Sequence, residues 1–389
     1  MNSFPALINS YSDTHVAMGD DAWPAFHQLL ARDKPRVIAV FTGKHSADVS
    51  GAWQDLCSHC RNSRVQRFSA INPEPDLECV RHMRVFLQQQ KPDWVIAIGG
   101  GSVMDAAKAA YLSYQTRQPT RVFFGANRFS ASNAGKRLKT VICFPTTSGT
   151  GSEVTPYANI VDTEAGVKKL ISDPVIIPDY AFCVPAYTKS MPENVVRATG
   201  CDALAHLLEG FLNVGADNND RYANRRAIAG IKLVSDALPK ALRRRGGFGK
   251  MAVAATLGGM VIRHKSTGLP HLCSFSWYGR IDHGLAAIML LPHCWEYYLG
   301  NPTVAERTML LRDIFPGDTP MAVISSFREF LTACGVPQAL RDIPGITPAL
   351  LDQTARSAGE NRMKLELAPR PVSPDDSYAV LMDILTRAY

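Results

Sequence analysis

Midway along this chain the apolar residues change their spacing, and the change narrows the architectures open to it. Up to about Pro185, short β-branched runs alternate with helical patterns: "RVIAVF" precedes "TGKHSA", "WVIAIGGGS" precedes "VMDAAKAAYL", and "TVICFPTT" follows. Such alternation predicts strand–helix–strand units on a parallel sheet. From about Met191 a helical period persists through "ENVVRATGCDALAHLLEGFL", "RRAIAGIKLVSDALPKAL" and "KMAVAATLGGMVIRH", and strand-like runs are scarce. The expected fold is an α/β domain over residues 1–188 followed by an all-α domain over residues 189–389.

A chain of 389 residues with 46% apolar and 20% charged side chains has room for two cores of ordinary size. The formal charge of +7 is modest, and no long Lys/Arg block suggests a nucleic-acid arm. Arg243, Arg244 and Arg245, ahead of Gly246 and Gly247, read as a helix end, where cations suit the dipole. No apolar stretch approaches the roughly 20 residues of a membrane span. Asp13, Asp20 and Asp21 stand where a secretory signal would be basic and then apolar. A cytoplasmic protein with no nucleic-acid or membrane partner is therefore expected. The nine scattered cysteines argue for reduced thiols, and the single CxxC, Cys57 and Cys60, reads as structural.

Within Val196–Leu212, Asp202, His206 and Glu209 share one helical face, while Leu204, Leu207, Leu208 and Phe211 cover much of the rest. A carboxylate and an imidazole in so apolar a helix need a partner. A divalent metal is one candidate; a solvated stripe with an ordinary Asp–His pair is the other. His271 and His283 lie twelve residues apart farther on. Alone, either reads as a structural histidine. With Asp202 and His206 they make three imidazoles and one carboxylate, a set suited to Fe(II) or Zn(II).

Two glycine-rich stretches in the first half suit a phosphate-bearing ligand. Gly99, Gly100, Gly101 and Ser102 lie between a buried strand and a helix, so backbone amides at the helix start can face a pyrophosphate. Asp105 falls in the first turn of that helix. A tight strand-to-helix turn with no ligand is the alternative, since the pattern is not GxGxxG. In "FPTTSGTGSEVTP", Thr146, Thr147, Ser148, Thr150, Ser152 and Thr155 surround two glycines. So many hydroxyls beside a strand fit a polar ligand such as ribose or a nicotinamide amide, or else a solvated loop.

"GGGSVMDAAKA", "PTTSGTGSEVT", "ATGCDALAHLLEG", "GLPH" followed by "DHGLAAIMLLPH", and "PRPVSPDD" resemble, in order, the signatures of the iron-containing (group III) alcohol dehydrogenase family. The resemblance implies an N-terminal dinucleotide-binding domain, a helical metal-binding domain, and a cleft between them for NAD(P) and the metal. It implies Asp202, His206, His271 and His283 as ligands of one divalent ion, Fe(II) or alternatively Zn(II). Gly100, Gly101 and Ser102 are implied for the pyrophosphate, and Thr146, Thr147, Thr150 and Ser152 for other cofactor contacts. Asp105 is included with this group. Lys169 is implied near the nicotinamide ribose, with Lys168 one position away. A homo-oligomer, expected to be a dimer, also follows from the family.

Two departures from the family pattern bear on specificity. Where many members end a strand with a ribose-binding Asp, this chain has Gly43 and Lys44. Losing the carboxylate and gaining a cation favours NADPH over NADH. Where members often carry a further histidine, this chain has Phe275, so proton relay there is removed. Arg263, His264, Lys265 and Arg280 surround the ligand histidines in sequence and could orient an anion; a surface charge cluster is the alternative. "GLPHLCSFSWYGRIDHG" most resembles phosphonoacetaldehyde reductases, which form 2-hydroxyethylphosphonate. A generic short-chain alcohol or diol dehydrogenase is the alternative, and a dehydroquinate synthase-like lyase is a third reading.

Overall fold

Strands that are apolar on both faces need cover on both sides, and that requirement organises the first half of the chain. The computed structural model describes residues 4–389 and divides into two compact units, Met1–Pro192 and Glu193–Tyr389. The sequence reading put the division at 188/189. Pro185–Thr188 forms a 3-10 turn, and the long helix of the second unit starts only at Glu193, after Pro192.

The first unit contains β1 (His15–Met18), β2 (Val37–Gly43), β3 (Arg64–Ile71), β4 (Trp94–Gly99), β5 (Gly125–Ala126), β6 (Ile142–Pro145), β7 (Tyr157–Asp162), β8 (Val167–Ser172) and β9 (Tyr180–Cys183). Six of these form a parallel sheet in the order β1-β9-β6-β4-β2-β3. Alternate residues feed two separate cores. Ala39, Phe41, Val95, Ala97 and Cys143 enter one, and Ile38, Val40, Ile96, Ile98 and Phe144 the other. A second sheet, β5-β8-β7, contains an antiparallel pair that the expected strand–helix alternation did not anticipate. Gly166, at φ +65°, turns the chain between β7 and β8.

β4 and β6 are neighbours, with Gly99 opposite Pro145, so the two glycine-rich loops emerge side by side from the carboxyl ends of the strands. Ligands of open α/β sheets bind at such ends. Gly100 caps the helix Gly101–Thr116 in an extended conformation. A Cβ on Gly101 would fall 2.6 Å from Thr150 Cγ2, so glycine permits this loop contact.

The loops are clamped from below by buried charge. Lys108 Nζ donates to Ser152 Oγ at 2.8 Å and to the carbonyls of Thr155 and Tyr157, each at 3.0 Å. Ser152 in turn donates to Asp105 Oδ1 at 2.6 Å, and Asn159 N donates to Asp105 Oδ2 at 2.9 Å. Burial raises the Asp105 pKa and lowers that of Lys108, and each charge partly offsets the shift of the other.

In the second unit, helices occupy Glu193–Leu212, Ala223–Leu242, Phe248–Lys265, Leu269–Ser274 and His283–Tyr298, with further helices to the end. Every residue from Gly200 to Leu212 is buried, so the polar face of that helix is enclosed along with its apolar one. Arg243 does cap the helix Ala223–Leu242, as the sequence suggested. Among the described residues, no helix is long and apolar enough to cross a membrane.

Removing one half of a buried ion pair leaves the other half uncompensated. Asp105→Ala is expected to cost roughly 3–5 kcal/mol of stability, and Asp105→Leu with Lys108→Met to recover much of it. Denaturant unfolding of the full chain would check this; a single variant as stable as wild type would contradict it.

Candidate metal centre and nucleotide cradle

Three helices carry the four residues expected as ligands, and the ligand atoms of Asp202, His271 and His283 come mutually close while His206 approaches Asp202. Glu193–Leu212 carries Asp202 and His206 one turn apart, Leu269–Ser274 carries His271, and His283 opens the helix His283–Tyr298. Asp202 Oδ1 lies 3.7 Å from His206 Nε2 and 3.4 Å from His271 Nε2. One ligand atom from each of Asp202, His271 and His283 lies within 4.8 Å of the others. The His206 and His271 rings stack with centroids 4.7 Å apart, and those of His271 and His283 are 5.0 Å apart. Donors bound tetrahedrally at about 2.0–2.2 Å lie roughly 3.3–3.6 Å from one another, close to these separations.

Asp202 Oδ1 and His271 Nε2 are buried without a hydrogen-bond partner. Polar atoms rarely stay so in a core unless something absent from the chain satisfies them. A divalent ion fits this set, and three nitrogens with one oxygen suit Fe(II) or Zn(II). Burial would raise the Asp202 pKa, yet His206, His271 and His283 hold the carboxyl well below the usual carboxylate range. Burial alone would lower the His271 pKa, but Glu209 and Asp202 outweigh it and push it up to about 9.

The sequence reading placed Glu209 on the stripe and gave it no role. Its buried carboxylate accepts from Gly268 N at 2.7 Å and pairs with His271 Nδ1. Ser274, also missed, contacts His283 Nδ1 at 3.1 Å and donates to the His271 carbonyl at 2.8 Å. Neither partner carries a motif of its own. Only the position of Glu209, seven residues beyond Asp202, was available as a signal. Phe275 lies parallel to His283 with centroids 5.6 Å apart, so an apolar ring stacks on that imidazole.

In the first unit, Gly100 packs toward Thr147 and Gly101 toward Thr150, while Thr146 N donates to Gly99 O at 2.9 Å. Thr146 Oγ1 and Ser148 Oγ are buried without hydrogen-bond partners, as a polar ligand would require. Ser148 was noted in the sequence as one hydroxyl among six and belongs with the candidates. Ser152 and Asp105 are instead committed to the Lys108 clamp. Ser102 Oγ accepts from Glu74 N at 3.3 Å. Lys168 pairs with Glu74 at 2.7 Å, and Lys169 with Asp162 at 2.9 Å. Gly43 closes β2, and Lys44 beyond it is exposed.

The cationic group is dispersed. Lys265 is buried, with its ammonium paired to Asp217 and 3.2 Å from Asn224 Oδ1. Its charge is used inside the fold, so Lys265 leaves the set expected to meet a substrate anion. His264 Nε2 lies 3.9 Å from Asp220 Oδ2. Arg263 is partly buried and Arg280 exposed.

Two tests follow from this geometry. A metal must displace the His271 proton, so apparent affinity of the metal-free protein should fall about tenfold for each pH unit below 9. Chelator competition across that range measures it, and a flat profile would count against His271 as a ligand. A Cβ on Gly284 would lie 2.1 Å from Ala198 O and 2.6 Å from Asp202 Cβ. Gly284→Ala is thus expected to cost about 1–3 kcal/mol by overpacking and to reduce the metal content found by elemental analysis.

Known proteins carry the same organisation. Residues 13–185 match the family described as iron-containing alcohol dehydrogenase, and residues 196–385 match the C-terminal part of the Fe-containing alcohol dehydrogenase family. The chain is 34% identical over 285 residues to the 1-propanol dehydrogenase PduQ of Salmonella typhimurium, covering 70% of this chain and 71% of that one. It is 35% identical over 248 residues to aldehyde-alcohol dehydrogenase 2 of Entamoeba histolytica, covering 60% of this chain but 28% of that longer one. An iron-containing alcohol dehydrogenase from Thermotoga maritima superposes with a TM-score of 0.81 at 27% identity, covering 97% of this chain and 99% of that chain. The matches span both units, and the chain belongs to the iron-containing alcohol dehydrogenase family.

Proposed function

We propose that this chain catalyses the metal-dependent, NAD(P)H-linked reduction of a small anionic aldehyde, with phosphonoacetaldehyde converted to 2-hydroxyethylphosphonate as its reaction. The observation that carries the oxidoreductase reading is the buried, unsatisfied pair Asp202 Oδ1 and His271 Nε2 beside two further imidazoles. Thr146 and Ser148 add the polar lining that a nicotinamide nucleotide would satisfy. When bound, the ion supplies Lewis acidity toward a carbonyl and the reduced nicotinamide supplies hydride.

The chain's own residues set the conditions for that chemistry. Asp202 stays ionised and is the one carboxylate among the four ligands. Glu209 and Ser274 orient His271 and His283. Phe275 stacks on the face of His283 and has no acidic proton, so it cannot protonate the product alkoxide.

The anionic preference rests on the exposed Arg280, three residues ahead of His283, and on Arg263 in the last turn of Phe248–Lys265. Lys44, exposed at the end of a strand that lacks the ribose-binding carboxylate, supports NADPH. A second reading, a neutral short-chain aldehyde, draws support from the engagement of Lys265 by Asp217 and from the name of the PduQ relative.

A panel following NADPH oxidation should show phosphonoacetaldehyde turned over faster than propionaldehyde; equal kcat/KM would leave the neutral reading. Arg280→Ala should raise KM for the anion about tenfold, the size of one charge-assisted contact, with little change for propionaldehyde. Lys44→Asp should lower kcat/KM with NADPH by about tenfold or more and spare NADH. Equal effects on both nucleotides would remove Lys44 from the 2′-phosphate.

A further inference from the structure

The helix Glu193–Leu212 presents three polar side chains on one stripe, and only two are expected ligands. Glu209 lies one turn beyond His206, and its carboxylate is 2% exposed. Both oxygens are engaged. Oε1 meets His271 Nδ1, and Oε2 accepts from Gly268 N at 2.7 Å, the residue that caps the helix carrying His271. A carboxylate can only accept, so Nδ1 must donate. That leaves the lone pair of the neutral ring on Nε2, the atom 3.4 Å from Asp202 Oδ1.

Lys364, also buried in this region, donates to Ser266 Oγ at 2.7 Å, Thr267 O at 2.8 Å and Thr267 Oγ1 at 3.1 Å. It braces the chain just before Gly268 and forms no hydrogen bond with the Glu209 carboxylate among the described contacts. Lys364 thus acts on Glu209 only through space, and the direct partners of the carboxylate are His271 Nδ1 and Gly268 N.

We infer that Glu209 is a positioning residue of the metal centre: it fixes His271 in the tautomer that presents Nε2 and adds a second buried negative charge behind the ligands. With three neutral imidazoles and one carboxylate, a divalent ion would retain one net positive charge. Glu209 offsets that charge, with the buried Lys364 ammonium acting on it through space, and so lowers the penalty for burying an ion. One helix thus supplies two ligands and the group that orients a third. Outer-shell carboxylates of this kind commonly change metal affinity by about 10–100-fold.

The inference rests on reading Asp202, His206, His271 and His283 as a metal site, and the test separates the two. Metal-free full-length protein is titrated with Co(II), followed by its visible absorption, and Zn(II) affinity is obtained by chelator competition. Wild type is expected to bind one ion. Glu209→Gln keeps the shape but loses the charge and the obligate acceptor, and is expected to bind about 10–100-fold more weakly with a displaced Co(II) band. Tyr298→Phe removes the neighbouring contact to Leu269 N, which is 3.0 Å long, and should leave affinity within about twofold while lowering thermal stability. If Glu209→Gln does not fold, Glu209→Asp retains the charge but is one methylene shorter, and weaker binding is again expected. Wild-type affinity and an unchanged Co(II) spectrum in whichever Glu209 variant folds would overturn the role of Glu209. A wild-type protein that binds neither ion would overturn the metal site itself.

Discussion

Asp202 Oδ1 faces two imidazole nitrogens inside an otherwise apolar helical core, and the second unit is arranged around that approach. Such groups carry a large desolvation cost, and His206 on the same helix meets only part of it. Their partners come from separate segments: His271 from a short helix after Gly268, and His283 from the start of the next long helix. Bringing these elements close requires very near backbone contact. At Gly284, even a methyl group would overlap the Ala198 carbonyl, so the residue after His283 sets the distance to the helix carrying Asp202 and His206.

The first unit solves a related problem with paired charge. Asp105 and Lys108 are enclosed, and Ser152 bridges them, so the glycine turn after β4 and the hydroxyl-rich loop after β6 form one surface. Thr146 Oγ1 and Ser148 Oγ, by contrast, are buried and left without a hydrogen-bond partner. The clamp thereby separates hydroxyls bonded within the fold from those left unsatisfied.

Much of this was legible in the sequence because period and spacing are local. The change from strand–helix alternation to a helical period marked two units, and of the side chains expected at one centre Asp202, His271 and His283 do come together. What escaped detection depends on contacts between distant segments. Ser152 and Asp105 read as ligand-facing residues in the sequence, whereas in the structure Ser152 bonds both Asp105 and Lys108. Lys265 reads as part of a cationic patch, yet Asp217, forty-eight residues earlier, holds its ammonium inside. Glu209 sat in plain view on the helical face, but its bond to His271 spans sixty-two residues, and no spacing rule reaches that far. The antiparallel pair β7 and β8 was hidden for the opposite reason: a six-residue strand, a short turn and another strand fit inside one interval of the broader pattern.

The internal clamp has a kinetic consequence. The loop after β6, already held by Lys108, would not have to be ordered by an arriving ligand, so little conformational entropy would be lost at that moment. Differences among ligands would then show mainly in how long each stays bound.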